Sequence, residues 1–519
     1  MAPPFDLKIL RGTVLDGTGG PPLAADIGIA GGRVSDIGDL AAAESTETID
    51  AGGRYVCPGF IDVHSHSDTY LLIEPAAPSK ILQGITTEVV GNCGASAAPL
   101  LGQYRMPSDW ADKTYPGTWR TVSEYRALLA GVRPGPNVAL LVGHNTLRAG
   151  VMGYPARPAE PAELREMIRW MEQSLDEGAR GLSTGLIYPP GLFAPSDEVL
   201  SLARAASARG AIYTSHMRSE GKRLLDAIAE AIAIAEQTGI RVEISHLKTS
   251  GRANWPLVDQ ALDLIRRARA RGLPVAADRY PYTAACTDLD VILPEWAAEG
   301  GRAAVLARLR DPAARQRLRS ELNQARDADY WGTVMVGSTA QPEFRGMRLP
   351  EVAERLGVQP ADAALQLIES DELKTSGIFF GMSEENMWKI LAEPYVMIGS
   401  DASLRAPWGP LGADHPHPRA YGSFPRFIKA SLEGKTVALP EAIRKMTSLP
   451  ALHFDLKGRG TLSRGAAADI VVFSPSITDR ATYAQPHQFA AGVDYVLVNG
   501  VLTVAAGELT GHRGGQFLA

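Results

Sequence analysis

The stretch Pro58-Gly59-Phe60-Ile61-Asp62-Val63-His64-Ser65-His66 decides how the rest of the chain is read. Its apolar run predicts a buried strand, and side chains two apart on a strand share a face. His64 and His66 can therefore offer two imidazoles to one ion at the strand's end. A surface pair after a strand would look the same, so the decision falls to residues further along the chain. Two more strand-like runs end in histidine: Ala211-Ile212-Tyr213-Thr214-Ser215-His216 and Val242-Glu243-Ile244-Ser245-His246. Another, Val396-Met397-Ile398-Gly399-Ser400-Asp401, ends in a carboxylate. Alone, each is explained by a satisfied core residue or a helix cap. Four histidines and an aspartate at successive strand ends are not, and they are ligand types that zinc takes.

Outward from these runs, strand and helix patterns alternate. Leu164, Met167, Trp170, Met171 and Leu175 recur at helical spacing, as do Leu224, Ile228 and Ile232, while Val138-Ala139-Leu140-Leu141-Val142 reads as a strand. Repeated βα units over residues 58–457 predict an α/β fold, a (β/α)8 TIM barrel, whose chemistry sits at the C-terminal strand ends. Both ends of the chain have another texture. Leu7-Lys8-Ile9-Leu10, Asp26-Ile27-Gly28-Ile29 and Val34-Ser35-Asp36-Ile37 alternate with turns, and Asp469-Ile470-Val471-Val472-Phe473 and Val493–Val498 before Asn499-Gly500 repeat the pattern. Residues 1–57 and 458–519 are expected to form one small β domain. From about 289 to 346 the chain turns polar and arginine-rich with little strand character, which predicts an inserted helical lid.

The 519 residues are 45% hydrophobic and 21% charged with a net charge of −6. That balance suits a folded barrel plus a smaller domain and gives no phosphate-tracking basic surface, so no nucleic-acid partner is expected. The apolar runs are strand-sized, so no membrane segment is expected. Met1-Ala2-Pro3-Pro4-Phe5-Asp6 lacks the features of a secretory leader, and a cytoplasmic location is expected. Three cysteines, Cys57, Cys93 and Cys286, are too few for a disulfide framework. Self-association is compatible with all of this.

The surrounding words narrow the reading. Gly84-Ile85-Thr86-Thr87-Glu88-Val89-Val90-Gly91-Asn92-Cys93-Gly94, Gly181-Leu182-Ser183-Thr184-Gly185-Leu186-Ile187-Tyr188, Ser215-His216-Met217-Arg218, Ser245-His246-Leu247-Lys248 and His415-Pro416-His417-Pro418-Arg419 all point one way. With the ligand order, they make the chain resemble, over nearly its whole length, the D-aminoacylase (N-acyl-D-amino-acid deacylase) family of the amidohydrolase superfamily.

The resemblance implies zinc-dependent cleavage of the amide bond of N-acyl-D-amino acids, small-molecule substrates, by a metal-activated water. It implies that Cys93 is a ligand where many relatives use a carboxylated lysine. Lys80 and Lys113, the lysines between His66 and His216, follow no strand-like run. Cys93, His216 and His246 would hold one tight zinc. His64, His66 and Asp401 would form a second, weaker site shared through Cys93. Asp401 would be the general base and then the general acid. Lys248, Tyr188 and Tyr280 would surround the substrate carboxylate, with Arg419 and then His144 as weaker candidates; Cys57 would be structural. Two departures stand out: Cys286 occupies the place of a serine that helps hold the carboxylate, and the segment after Asp401 is longer than usual. Thr283 or Thr287 could replace the serine contact. A cyclic or peptide-like amide remains the alternative substrate, and an inactive barrel with a binding role the alternative of another class. A Ser-His-Asp hydrolase is disfavoured.

Overall fold

The computed structural model describes residues 4–102, 104 and 106–519, so residues 1–3 of the expected amino-terminal unit lie outside the described residues. The barrel strands are β1 (Phe60–Asp62), β2 (Ile85–Val90), β3 (Asn137–Gly143), β4 (Gly181–Gly185), β5 (Ile212–His216), β6 (Arg241–Ile244), β7 (Val275–Arg279) and β8 (Val396–Ile398). They lie side by side in sequence order, each parallel to the next. The ring closes just past the strand ends, where Asp401 N–H donates to the His64 carbonyl at 2.7 Å and His66 N–H to that of Ala402 at 3.3 Å. This is the expected (β/α)8 barrel.

The helical rows read from sequence turn inward as amphipathic faces must. Met167 and Met171 are buried on Pro161–Asp176, and Leu224, Ile228 and Ile232 on Leu224–Thr238, while Leu164, Trp170 and Leu175 pack at the edge. Inside the barrel, Ile61, Val89, Ala139, Leu141, Ile212 and Met397 form a filled core with Phe454 and Leu456. A packed floor of this kind leaves the opposite end of the strands free for chemistry.

The two ends of the chain meet in one sheet. Tyr55–Pro58 pairs antiparallel with Ile470–Thr478, with Cys57 opposite Val471, and Cys57 is fully buried there. Asn499 and Gly500 both have positive φ, 50° and 80°, as the tight hairpin between Val498 and Val501 requires.

The excursion after β7 holds more strand than its composition suggested. Ala284–Asp288, Ser376–Phe380 and Val334–Val336 form a three-stranded antiparallel sheet in that spatial order. Two of these strands lie outside 289–346. Between them, helices such as Pro312–Ala325 and Pro360–Ser370 bury Leu318, Leu322, Leu365 and Ile368 against one face. The arginine-rich helices dominated the sequence pattern, and the flanking strands are short.

Candidate metal centre and substrate pocket

His64, His66, Cys93 and Asp401 converge on one point, and Cys93, His216 and His246 on another; within each group the ligand atoms lie within 4.8 Å of one another. Cys93 belongs to both. His64 Nε2 lies 3.2 Å from its Sγ and His246 Nε2 3.5 Å from it on the other side. The barrel brings these residues together because their strands end at one rim. Three of them, Cys93, His246 and Asp401, have left-handed backbone, with φ of 53°, 37° and 50°. Such conformations cost about 1–3 kcal/mol each and persist where the surroundings enforce them, often at functional sites. Close packing also needs room: a Cβ on Gly399 would lie 2.5 Å from His64 Cβ and 2.8 Å from an Asp278 oxygen.

Behind the donors stands a layer of fixed charges. His64 Nδ1–H donates to Asp278 at 3.0 Å, and His246 Nδ1 lies 2.8 Å from Glu220 Oε1. Each carboxylate turns the other ring nitrogen, Nε2, towards Cys93, an arrangement that fixes tautomer and orientation. Arg419 pairs with Asp401 Oδ2 at 2.8 Å, leaving Oδ1 facing His66 at 3.1 Å and His64 at 3.5 Å. Burial opposes ionisation of both Asp401 and Cys93. For Asp401, Arg419 and His246 outweigh it; for Cys93, His64 and His246 do, and both groups are held well below their usual ranges. His216 differs. Burial and the neighbouring His246 push its pKa down, and both ring nitrogens are buried without a hydrogen-bond partner. A thiol, imidazoles and a carboxylate converging within one metal's reach are ligand types that zinc takes, so the residues present fit the ion.

Lys80 does not reach this point. It is fully buried beneath the rim and donates to Asp62, Ser400 Oγ and the Ala402 carbonyl, each at 2.8 Å. It ties β1 to β8 and leaves Cys93 as the central bridging donor.

The carboxylate-reading candidates are brought near, by routes the sequence did not give. Lys248 lies past the end of β6, after the left-handed His246, and so does not continue that strand's alternation. Its ammonium nevertheless sits 2.8 Å from His246 Nδ1 and pairs with Glu220. Tyr188 stacks edge-on against His216 with ring centroids 4.9 Å apart, and its hydroxyl bonds Thr287 at 3.0 Å. Tyr280 is buried with a hydroxyl that has no partner. Arg419 lies over its ring, 4.5 Å from the centroid. The Cys286 carbonyl accepts from Arg419 at 3.1 Å, while burial pushes its thiol up to about 11, so it stays neutral. His144 is not brought to the cluster: its Nε2 bonds Glu198 at 2.8 Å.

Gly181-Leu182-Ser183-Thr184-Gly185 has the Gly-x-Ser-x-Gly spacing of a nucleophile elbow, yet Ser183 lies within β4. Its buried hydroxyl accepts from Gly94 N–H at 3.1 Å and donates to the Gly91 carbonyl, so it braces the Cys93 turn. Sequence reading missed Asp278 and Glu220. Asp278 lies on β7, where strand alternation was a usable signal; Glu220 lies in the loop after β5 and had none.

A (β/α)8 barrel with this donor set defines a metal-dependent hydrolase. Residues 47–504 match the amidohydrolase family. The chain is 38% identical to the N-acyl-D-glutamate deacylase of Alcaligenes xylosoxydans xylosoxydans over 528 aligned residues, covering 99% of this chain and 96% of that one. It is 36% identical to the D-aminoacylase of the same organism, covering 99% and 98%. The crystal structure of N-acyl-D-glutamate deacylase from Bordetella bronchiseptica, complexed with zinc and a phosphonate mimic of the tetrahedral intermediate, superposes with a TM-score of 0.85 at 36% identity over 99% of each chain. The chain belongs to the amidohydrolase family and, within it, to the D-aminoacylases. Among the described residues, no helix is long and apolar enough to cross a membrane.

Proposed function

We propose that this chain is a zinc-dependent hydrolase of N-acyl-D-amino acids, releasing a carboxylic acid and the free D-amino acid. The observation that carries the reading is the position of Cys93 Sγ, between His64 and His66 with Asp401 on one side and His216 with His246 on the other. Cys93, His216 and His246 would hold the tight zinc; His64, His66 and Asp401 would hold a second, weaker one through the same sulfur. When bound, zinc supplies a lowered pKa for water and polarisation of the amide carbonyl.

The chain's own groups do the rest. Asp401, ionised and turned by Arg419, accepts the proton of the attacking water through Oδ1 and delivers it to the departing nitrogen, which leaves poorly as an anion. The buried Tyr280 hydroxyl and the Lys248 ammonium supply donors for the substrate carboxylate. The buried Lys80 network, in place of a lysine bridge at the cluster, favours a linear amide over a cyclic one. A cytoplasmic setting belongs to the same reading, supported by three free cysteines.

The test is amine release from zinc-loaded protein on matched N-acetyl-D- and N-acetyl-L-amino acids. Turnover confined to the D series is expected. Equal turnover of both series would refute the stereochemical assignment, and bound zinc without turnover on either would favour the inactive barrel.

A further inference from the structure

We infer that the site reads a second carboxylate, carried on the side chain of the D-amino acid, through Arg348. This rests on the deacylase reading above and deepens it, because the relatives' names differ in the side chain they specify and membership of the family does not choose among them.

The inserted sheet provides the geometry. Cys286 lies opposite Ile378, Ile378 opposite Met335, and Met335 bridges Arg348. Residues directly opposite on neighbouring strands share a face, so this row crosses one face of the sheet. Ala284 and Phe380 form the next pair on that face. Ala284, Ile378 and Met335 are buried as an apolar floor, with Cys286, Phe380 and Tyr483 packed around it. The rings of Phe380 and Tyr483 stand 4.7 Å apart.

One end of this patch adjoins the reaction centre. The Cys286 carbonyl binds Arg419, the arginine that holds Asp401, and the Tyr483 hydroxyl lies 3.3 Å from His417 Nε2. The other end carries a cation. The Arg348 guanidinium carbon lies 3.8 Å from the centroid of the Phe380 ring. Its Nη1 is buried without a partner, and among the described residues no carboxylate forms an ion pair with it. Glu351, on the same helix, accepts from the Arg348 backbone N–H at 2.6 Å. Neighbouring arginines are committed: Arg419 to Asp401, Arg405 to Asp414 at 2.7 Å, and Arg345 to the carbonyls of Thr339 and Ala413. Asp288, the acid on this face, lies on the far side of Cys286 from Phe380, opposite Ser376.

A partly desolvated guanidinium that no carboxylate contacts, with Glu351 acting on it only through space, has a place for an anion, and its fork matches a carboxylate. A diagonal across neighbouring strands, from Cys286 to Phe380, spans about 7–8 Å. A short methylene chain ending in a carboxylate, as in aspartate or glutamate, covers that reach. Larger neutral side chains would fill the floor and leave the guanidinium unmatched.

The experiment compares kcat/KM of the zinc-loaded wild type and of Arg348→Met on N-acetyl-D-glutamate, N-acetyl-D-glutamine, N-acetyl-D-norleucine and N-succinyl-D-norleucine. A thermal-shift measurement with free D-glutamate against D-glutamine gives a readout without turnover. The wild type should prefer the glutamate substrate over its neutral isostere at least tenfold. R348M should lose that preference mainly through KM, fall far less on the norleucine substrate than on the glutamate one, and lose the D-glutamate thermal shift; R348K should recover part of each. Good turnover of neutral substrates with no acidic preference would overturn the inference and leave the deacylase reading standing. So would an equal loss on all substrates in R348M, or a preference that follows the succinyl carboxylate. No turnover of any of the four would remove the parent reading instead.

Discussion

His216 and His66 stand on the same barrel rim, yet neither ring nitrogen of His216 has a partner, whereas His66 bonds Asp401 at 3.1 Å. The contrast extends to their groups. On the His216 side, Glu220 engages His246 through Nδ1 and leaves Nε2 towards Cys93. On the His66 side, the donors satisfy one another: His64 bonds Cys93, and Asp401 bonds both His66 and Arg419. An ion entering the first group displaces one long contact, Cys93 with His246, and finds His216 unengaged; one entering the second must displace the contacts of His64 with Cys93 and of His66 with Asp401. Preorganisation of that kind separates a tight site from a weak one without any difference in ligand softness.

The largest effect should come from removing what the two sides share. Cys93→Ala is expected to abolish turnover and to strip zinc from both groups, measured by elemental analysis after dialysis; a full zinc complement would break the comparison at its centre. Asp401→Asn should separate the sides. It should lower kcat by about 10²–10⁴-fold, the range of a lost general acid–base group, with the tight ion retained. Next come the carboxylates behind the rings. Glu220→Gln should weaken the first ion and Asp278→Asn the second, each by about 10–100-fold in affinity, resolved by stepwise chelator titration. The same loss in both variants would mean that the two groups bind as one.

The smallest expected effect lies away from the cluster. Burial opposes ionisation of Glu198, but its hydrogen bond with His144 and the charges of His144 and Arg148 outweigh this and hold its pKa at about 2. A depressed carboxylate pKa adds stability above its unfolded value of 4.5, and that stability is lost as pH falls from there towards 2. Glu198→Gln should therefore melt several degrees below wild type at neutral pH, with the gap closing in acid. A gap independent of pH would show that the Glu198 charge contributes nothing.

Much of this was legible in the sequence alone, for definite reasons. His64, His216 and Asp401 each follow an apolar run, and apolar runs between helical patterns mark barrel strands. Cys93 was legible only through resemblance: it stands three residues past the end of β2, in a left-handed turn that strand alternation cannot describe. Lys248, too, was singled out only through resemblance, since its chain path after His246 is no longer a strand. Glu220 was hidden because it lies in a loop where no periodicity marks the partner of a ring nitrogen, whereas Asp278, on β7, carried a strand-alternation signal that went unused. The strands of the excursion were hidden by distance along the chain: Ala284–Asp288 pairs with Ser376–Phe380 across the whole insertion.

The central claim, that Cys93, His216 and His246 hold the tight zinc of a D-amino-acid deacylase, is tested most directly by adding zinc to metal-free protein while following hydrolysis of an N-acetyl-D-amino acid. The account predicts that activity reaches its plateau at one equivalent. Activity that appears only as a second equivalent binds would contradict it.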